Sequence, residues 1–499
     1  MWRRCYGYCR SLRPPSHLAG RYIGRYAKWQ AECHAIKQAP KRYIMTARFS
    51  HLCFVTSIAL TSYSLLVASA PSPALAAEVT APATHWYKGN IHTHSLWSDG
   101  NDFPEMISDW YVQHGYNFLA LSDHNVLSQG VRWMGLDKIK ERGYTDALEK
   151  YRARFGNEWV ETRGEVGTPK FEVRLKPLDE FRKLVEKPDE FLMIQSEEIS
   201  DRAEGVPIHM NVANIQEAIE PAGGKTVAEA IDNNLRAAEE QAKRTGKEML
   251  VHRNHPNFGY AITAEEIASV IHERFVEVYN GHPGVHHEGD KRHASVEQIW
   301  DIANTLRLAK FHAEPLFGVA TDDSHYYNGQ PGSHPGRGWI MVRAAKLDPE
   351  TLIKAIKTGD FYASSGVTLR DVQYDAAKKQ LRVEIEPEQG VTYETQFIGT
   401  KIGFDPESKP RLDKEGKPFR TTREYSHDVG LTLATVKGPN PSYDLTGEEL
   451  YVRAVVTSSK PADDPSFENQ HQQAWTQPVG WQEHVKISDR STNSDSPSQ

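Results

Sequence analysis

The sequence predicts an α/β fold whose first part is a parallel sheet or barrel and whose last part is β-rich. Three observations lead to this prediction. Between residues 86 and 363, short strand-like runs alternate with amphipathic helical runs, which is typical of parallel α/β layers and barrels. After residue 366, apolar and polar residues alternate between turn residues, as in β-sandwich strands. The 499 residues are 39% hydrophobic, which is enough for a large core and for more than one domain.

The first 77 residues differ in character from the rest of the chain. They contain 11 Lys and Arg residues but a single acidic residue. From Met45, a short basic start leads into an apolar run at 52–68 and then into Ala74-Leu75-Ala76, a small-x-small cleavage site. We expect an artefactual extension at 1–44, a signal peptide at 45–76 and a periplasmic or secreted mature protein. The apolar run is short for a membrane span, so we expect no stable span after cleavage; an uncleaved anchor is the alternative.

Cysteine usage and charge restrict the chemistry of the mature chain. All four cysteines precede Ala77, so metal ligands in the mature chain must be His and carboxylate. Removing residues 1–77 would change the formal net charge from −7 to −17. A chain this acidic is a poor generic binder of nucleic acid or anionic membranes. Bound cations could still create a local site for an anionic or ester substrate of low molecular weight.

The alternating region contains eight strand-like runs with helical runs between several of them. The strands are predicted at 87–92, 117–122, 190–196, 206–214, 248–252, 274–280, 316–321 and 338–343. Helices are predicted at 104–115, 226–246 and 295–310, where Pro104 and a Thr226 cap mark two starts and Gly246 marks a stop.

Two further regions flank or interrupt this pattern. A charged segment at 131–187 is predicted to be a mostly helical insertion within the 86–365 barrel domain, either a lid or a solvated lobe without a role in chemistry. Residues 366–487 are predicted to form a β-sandwich-like domain. The polar tail at 488–499 is predicted to be disordered.

Histidine and carboxylate side chains recur at the ends of the predicted strands. In an α/β barrel or open sheet, these ends converge on one crevice, so residues far apart in sequence can meet there. His92-x-His94 and Asp323-x-His325 each put two ligands on the same side of an extended chain. Such groups suit Zn, Mn or Fe, and a shared carboxylate such as Glu198 could bridge two ions. The candidates at or near strand ends are His92, His94, Asp99, Asp123, His124, Glu197, Glu198, His209, His252, His255, Glu277, Asp322, Asp323 and His325.

Each candidate alone has a simpler explanation. His209 could be a core histidine, Glu277 could be a supporting group and His252 could merely neighbour His255. Four further histidines lie in a polar loop that we do not expect to ligate directly: His282, His286, His287 and His293. Core packing does not readily explain why His or carboxylate recurs at six successive strand ends. This repetition therefore predicts a metal site.

These motifs resemble the polymerase-and-histidinol-phosphatase (PHP) superfamily of metal-dependent phosphoesterases over about residues 86–345. The marks are His92-x-His94 with Ser98-Asp99-Gly100, then Ser122-Asp123-His124, Glu198-Ile199-Ser200, His209, His255-Pro256 and Asp323-Ser324-His325. Runs such as "NHPNFGYAIT" and "EVYNGHP" are similar to the secreted CehA/McbA-type metallohydrolase branch, which includes carbaryl hydrolase. The sequence departs from the family pattern at Ser196, where glycine is usual, and in the doubled acids Glu197-Glu198 and Asp322-Asp323.

The resemblance implies a distorted (β/α)7 barrel with two or three divalent ions at its C-terminal strand face. One ion would take His92, His94, Glu198 and Asp323. A second would share Glu198 and take His209 and His255. A third would take Asp99, His124 and His325.

The leading hypothesis is a metal-dependent hydrolase of phosphate esters, in which the ions activate water near neutral pH. Arg253 and Asp123 are the candidate catalytic residues, with Arg253 as the cation that stabilises substrate charge and Arg337 as a second choice. One alternative keeps the metals but hydrolyses carbamates or carboxylic esters, for which no arginine clamp is needed. The other alternative is a non-catalytic periplasmic protein that binds metal or glycan.

Overall fold

The structure, a computed structural model, describes residues 83–485. The predicted extension at 1–44, the signal peptide at 45–76 and the tail at 488–499 lie outside these residues. The described residues belong to one compact unit. Within residues 83–485, no helix is long and apolar enough to cross a membrane.

The elements follow the predicted alternation through the first part of the chain. In order they are β1 (His85–Asn90), α1 (Pro104–Gln113), β2 (Phe118–Leu121), β3 (Arg132–Gly135), α2 (Leu136–Arg142), α3 (Ala147–Phe155), β4 (Thr162–Arg163), β5 (Glu172–Leu175), α4 (Leu178–Val185), β6 (Leu192–Ala203), β7 (Val206–Ala213), α5 (Val227–Thr245), β8 (Leu250–Arg253), α6 (Ala264–Ser269), β9 (Phe275–Asn280), α7 (Val296–Leu306), β10 (Phe317–Thr321), β11 (Trp339–Ala344), α8 (Pro349–Thr358) and β12 (Phe361–Ser364). A π-helical turn, Arg307–Phe311, continues α7.

The remaining elements are strands and one short helix. They are β13 (Leu369–Asp375), β14 (Gln380–Ile385), β15 (Tyr393–Lys401), β16 (Ser408–Lys409), β17 (Glu424–Tyr425), β18 (Leu431–Lys437), β19 (Ser442–Asp444), β20 (Glu449–Pro461), β21 (His471–Trp475) and a 3-10 turn, Trp481–His484.

Seven strands of a large mixed sheet form the part that carries the predicted site. They lie in the order β10-β9-β8-β7-β6-β2-β1, and every pairing is parallel except the two made by β7, which is antiparallel to β6 and β8. Among the described residues, no ladder closes β10 onto β1. A single parallel bridge, Thr93 to Ser324, joins the chain just beyond these two strands. The α/β sheet is therefore as predicted, whereas residues 83–485 show no closed seven-stranded ladder.

Local sequence signals explain where the longer helices begin and end. The Thr226 side chain accepts a hydrogen bond from the Glu229 N–H, and Gly246 ends α5 in the left-handed region at φ 67°. Ser295 and Gln298 form a capping box at the start of α7. The apolar faces of α5 and α7 are buried in a core shared with β7, β9 and β10. The helices thus hold the strands whose ends carry the candidate ligands.

The insertion at 131–187 is less helical than predicted. Helices α2, α3 and α4 accompany a three-stranded antiparallel sheet in the order β3-β5-β4. Its own apolar cluster includes Ile139, Tyr151 and Val173, and it also takes in Trp97 and Phe103 from the chain after β1. The insertion therefore combines the expected helices with a small sheet that was not expected, and it packs directly on the segment that follows the first predicted ligands.

The C-terminal strands extend the same sheet. From β1 the order continues β11-β12-β21-β20-β15-β18, with antiparallel pairing throughout. A separate three-stranded sheet, β13-β14-β19, shares a buried apolar cluster with β15 and β20. The C-terminal region is β-rich as expected, and its hydrogen bonding is continuous with the α/β part.

Candidate metal centre

All nine predicted metal ligands lie in one cluster. Groups whose ligand atoms lie within 4.8 Å of one another connect every one of them: His92, His94, Asp99, His124, Glu198, His209, His255, Asp323 and His325. Most of these residues follow strand ends, but Glu198 and His209 lie within β6 and β7. Glu198 nevertheless lies beyond the part of β6 that pairs with β2, which ends at Gln195. The side chains therefore meet at the edge where the parallel strands finish.

Backbone hydrogen bonds fix the first and last ligand segments against each other. The Asp323 N–H donates to the His92 carbonyl at 3.0 Å, and the His94 N–H donates to the Ser324 carbonyl at 2.9 Å. Asp323 itself has a left-handed backbone with φ 48°. For a residue other than glycine this conformation is costly and is often found at functional sites.

His92 and His94 face two carboxylates. His92 Nε2 lies 3.4 Å from Glu198 Oε1 and 3.3 Å from Asp323 Oδ1. His94 Nε2 lies 3.4 Å from Glu198 Oε2 and 3.2 Å from Asp323 Oδ1. This is the ligand set expected for the first ion, and all four side chains are almost fully buried.

Glu198 also faces the side of the cluster expected to hold a second ion. Its Oε1 lies 3.0 Å from His209 Nδ1 and 3.7 Å from His255 Nε2. The same oxygen accepts a hydrogen bond from Asn254 Nδ2 at 2.7 Å. Its Oε2 lies 2.7 Å from His124 Nδ1, so both oxygens of Glu198 lie close to ligand nitrogens, as is required of a bridging carboxylate.

The third group is more open. Asp99 Oδ2 lies 3.5 Å from His124 Nε2, and Asp99 Oδ1 lies 3.4 Å from His325 Nε2. The Asp99 side chain is 54% exposed, whereas those of His124 and His325 are 26% and 14% exposed. Solvent therefore reaches the cluster on this side.

Several buried atoms at the centre have no hydrogen-bond partner among the described residues. They are His92 Nε2, His94 Nε2, His209 Nδ1 and Glu198 Oε2. Leaving such atoms unpaired is costly unless a ligand takes their place. Imidazole nitrogens and carboxylate oxygens directed at a common space are the donor set of borderline divalent ions. The residues thus fit the metals that the sequence predicts.

The charges of the cluster also suit metal binding. Burial would raise the pKa of Glu198 and of Asp323, but the adjacent histidines hold both pKa values well below the usual range. Burial lowers the pKa of His94 to about 3. For His92, burial would lower the pKa, but the surrounding carboxylates, led by Asp323, raise it well above the usual value. Metal binding at His92 would therefore release a proton.

Glu277 holds two of the predicted ligands, His92 and His255, in position. Its Oε1 lies 2.7 Å from His92 Nδ1 and accepts from Thr321 Oγ1, and its Oε2 accepts from the His255 N–H and from Asn280 Nδ2. A carboxylate on the far nitrogen of a metal-binding histidine fixes its tautomer and orientation. His252 Nε2 lies 3.4 Å from the same Oε1. The sequence left both residues undecided between ligand, support and neighbour.

Hydrogen bonds show which acid of each pair, Glu197-Glu198 and Asp322-Asp323, faces the cluster. Glu197 Oε1 accepts from the Ile219 N–H at 2.6 Å, on the other face of β6 from Glu198. Asp322 accepts from the backbone N–H groups of 336, 337 and 338. Glu198 and Asp323 are therefore the members that face the cluster, as predicted.

The two arginines predicted as substrate cations are engaged elsewhere. Arg253 is fully buried, donates to the His209 carbonyl at 2.9 Å and lies 3.5 Å from Glu273. Arg253 follows His252 directly on β8, and successive side chains of a strand point to opposite faces, so the Arg253 side chain points away from the face used by His252. Arg337 donates through Nε and Nη2 to Asp464 and through Nη1 to two backbone carbonyls. The expected role of Arg253 as a substrate cation is therefore corrected.

Asp123 is also placed differently from its predicted catalytic role. Its carboxylate is buried and accepts hydrogen bonds from the N–H and hydroxyl groups of both Ser95 and Ser98. These contacts hold the turn that presents Asp99. The geometry makes Asp123 a positioning residue for that turn.

Comparisons with known proteins add little at the level of sequence. No protein-family model matches the chain, and no curated protein matches it. A two-domain crystal structure from Bacteroides vulgatus, described as containing a predicted PHP-like metal-dependent phosphoesterase, is 14% identical with a TM-score of 0.33, covering 79% of this chain and 95% of that one. A candidate metal-dependent phosphoesterase from Bifidobacterium adolescentis is 14% identical with a TM-score of 0.25, over 49% and 90%.

A third solved structure is an amidohydrolase from Chromobacterium violaceum with bound sulfate and no metal. It is 13% identical with a TM-score of 0.26, and the match covers 55% of this chain and 96% of that one.

Proposed function

We propose that this protein is a divalent-metal-dependent hydrolase of the PHP type that cleaves phosphate esters. One observation carries the proposal: both oxygens of the buried Glu198 carboxylate lie among ligand nitrogens. Oε1 lies 3.4, 3.0 and 3.7 Å from nitrogens of His92, His209 and His255, and Oε2 lies 3.4 and 2.7 Å from nitrogens of His94 and His124. A single carboxylate in this position suits two closely spaced ions better than a structural salt bridge.

The proposed ligand sets are the three that the family resemblance implies. His92, His94, Glu198 and Asp323 would hold one ion; Glu198, His209 and His255 would hold a second; and Asp99, His124 and His325 would hold a third. Divalent ions there would supply Lewis acidity, which makes water acidic enough to react near neutral pH and offsets charge on the reacting group.

The rest of the site orients these ligands. Glu277 fixes the ring of His92, Asn254 holds Glu198 and Asp123 holds the turn that carries Asp99. The half-exposed Asp99 lies on the side from which a substrate would enter. Buried ligands on one side and an open one on the other are expected of a catalytic site, because substrate must reach it.

The contacts of Arg253 and Arg337 support a second candidate function. Because Arg253 and Arg337 are both bound to other groups, the clamp expected for a phosphate is missing from the positions that the sequence indicated. A carbamate or carboxylic ester carbonyl needs no such clamp. The same metal site could therefore act on these neutral esters.

A substrate panel at fixed metal content separates these functions. Purified protein loaded with Mn or Zn is assayed with bis-p-nitrophenyl phosphate, p-nitrophenyl phosphate, a 1-naphthyl ester and a 1-naphthyl N-methylcarbamate. We expect phosphate esters to turn over fastest and His94→Ala to abolish turnover, whereas the exposed loop variant His286→Ala keeps it. Absence of turnover on every substrate at full metal occupancy would reject a hydrolase.

We also propose that the protein is exported. The support is the basic and apolar N-terminal pattern and the small-x-small site before Ala77. Determining the N-terminus of the protein recovered from its native host tests this, since cleavage after residue 76 is expected.

A further inference from the structure

His282 lies at the mouth of the candidate metal centre without belonging to any ligand group. It follows β9 by two residues and is half-buried. Its ring centroid is 5.9 Å from that of His325 and 5.4 Å from that of Phe258. None of the ligand groups found among residues 83–485 includes it. The ring therefore borders the cluster on the side of the exposed third group.

The backbone of His282 is tied to the ligands themselves. Its N–H donates to Asn280 Oδ1 at 2.8 Å. The Asn280 amide group in turn donates to Asp323 Oδ2 at 3.1 Å and to Glu277 Oε2 at 2.8 Å. One amide side chain thus fixes the distance between His282, a proposed ligand and the carboxylate that supports His92.

Local contacts also determine which ring nitrogen of His282 carries the proton. The Gly284 N–H donates to His282 Nδ1 at 2.9 Å, so Nδ1 is the acceptor and Nε2 carries the hydrogen. Among the described residues, Nε2 has no hydrogen-bond partner, and the half-exposed ring leaves it accessible.

A close approach of the backbone makes this arrangement possible. A Cβ at position 284 would lie 2.9 Å from Cε1 and Nδ1 of His282 and 2.9 Å from the Phe258 ring. Glycine therefore allows the N–H of residue 284 to reach the imidazole. The ring orientation is built by the loop and does not depend on a metal.

We infer that His282 donates a hydrogen bond from Nε2 to a substrate oxygen at the metal centre, for a phosphate ester a non-bridging phosphoryl oxygen. This inference rests on the proposed function. A neutral donor is needed there because Arg253 and Arg337 are bound elsewhere. A fixed donor directed at an oxygen that gains charge in the transition state affects mainly kcat, and losing one costs on the order of 10²-fold.

Three variants of the holoenzyme test the role: His282→Ala, His282→Gln, which keeps an N–H donor, and Gly284→Ala, which displaces the ring. The matched control is His286→Ala, since His286 is exposed and stacks on Tyr260 at 4.5 Å. Each protein is analysed for metal content, Tm, kcat and KM with bis-p-nitrophenyl phosphate.

We expect His282→Ala to keep the metal content and Tm of the wild type while kcat falls about 10²-fold. His282→Gln should recover part of the loss, Gly284→Ala should show a smaller loss and His286→Ala should match the wild type. Unchanged kcat in His282→Ala would overturn the inference, and so would a loss of kcat that tracks a loss of metal, because His282 would then be a ligand. An inactive, metal-loaded wild type would instead reject the proposed function.

Discussion

Glu277 shows how much of the candidate site depends on a residue that need not touch a metal or substrate. Four hydrogen-bonding groups converge on its carboxylate: the His92 ring, the Thr321 hydroxyl, the His255 N–H and the Asn280 amide. Each of these four groups can donate a hydrogen bond to a carboxylate oxygen, and Glu277 and its four partner residues are buried. The two oxygens therefore set the orientation of His92 and the start of the segment that carries His255.

Replacing Glu277 with Gln should weaken metal binding. The amide presents an NH2 group where two donors already point, so the His92 ring loses its fixed partner. We expect the metal dissociation constant to rise roughly 10- to 100-fold. Competition with a fluorescent chelator measures it, with Glu288→Gln on the nearby loop as the control. Equal affinities for Glu277→Gln and wild type would exclude the positioning role.

At this scale the sequence predicted which residues meet but not which way each one points. The nine predicted ligands lie close together because strand ends converge whatever the details of packing. Arg253 was misassigned because β8 ends at that residue, so the two-residue alternation does not continue to His255. Asp123 follows a predicted strand, so the sequence suggested a catalytic acid. Its burial and the hydrogen bonds that it accepts from two serine hydroxyl groups depend on the folded turn.

Helix α1 and the insertion meet through a buried acid. Glu105, in the first turn of α1, accepts from Tyr151 at 2.6 Å and from Trp159 Nε1 at 3.0 Å. Its Oε2 has no hydrogen-bond partner within the part of the chain that the structure describes. Burial raises the pKa of Glu105 to about 7, although the Tyr151 hydrogen bond opposes this shift.

This raised pKa predicts a pH-dependent stability. Between the unfolded pKa of about 4.3 and the folded value, the folded state holds a proton that the unfolded state has released. The free energy of unfolding should therefore fall as pH rises through this window, by at most about 1.4 kcal/mol per pH unit from this group. Glu105→Gln should gain stability relative to wild type between pH 5 and pH 8.

Urea unfolding of both proteins at three pH values measures the difference. Glu149→Gln, an exposed position on α3, is the control, because its carboxylate stays in water in both states. A gap between Glu105→Gln and wild type that stays constant with pH would contradict the prediction.

Elements were predictable where they are long and periodic. Helices α5 and α7 have caps and apolar faces that the sequence displays. The insertion sheet was missed because its strands are two to four residues long, too short for a period of two to be recognised. The many charged residues of the insertion therefore led to a prediction of helix.

A buried ion pair joins the α/β part of the described chain to its C-terminal strands. Arg453 in β20 donates to Asp301 in α7 at 2.7 and 2.6 Å, and Tyr451 donates to the same carboxylate at 2.8 Å. The Arg453 side chain is fully buried. The sequence could not indicate this pairing, because the partners are 152 residues apart.

Replacing Arg453 with Met should destabilise the entire described unit. The change leaves Asp301 buried without its cation, which costs about 3–5 kcal/mol. We expect one cooperative transition at lower temperature, because the sheet is continuous across both parts. Calorimetry measures it, with Arg370→Met as the control, since its exposed pairs with Glu384 and Glu386 are worth about 1 kcal/mol or less. Two separate transitions would show instead that the C-terminal strands fold independently.

Metal ions should stabilise the fold as a whole, because the ligands come from segments that the sheet alone does not close. Strands β1 and β10 are linked near the site by the Thr93–Ser324 bridge and two adjoining backbone hydrogen bonds. Ions bound only by the native state add RT ln(1 + [M]/Kd), about 2.7 kcal/mol at 100 times Kd. Chelation should therefore lower the Tm of the wild type, and Mn or Zn should restore it. His94→Ala should show a much smaller response, whereas His286→Ala should respond like the wild type. If chelation leaves the Tm of a protein with measured metal unchanged, the ligands do not link these segments.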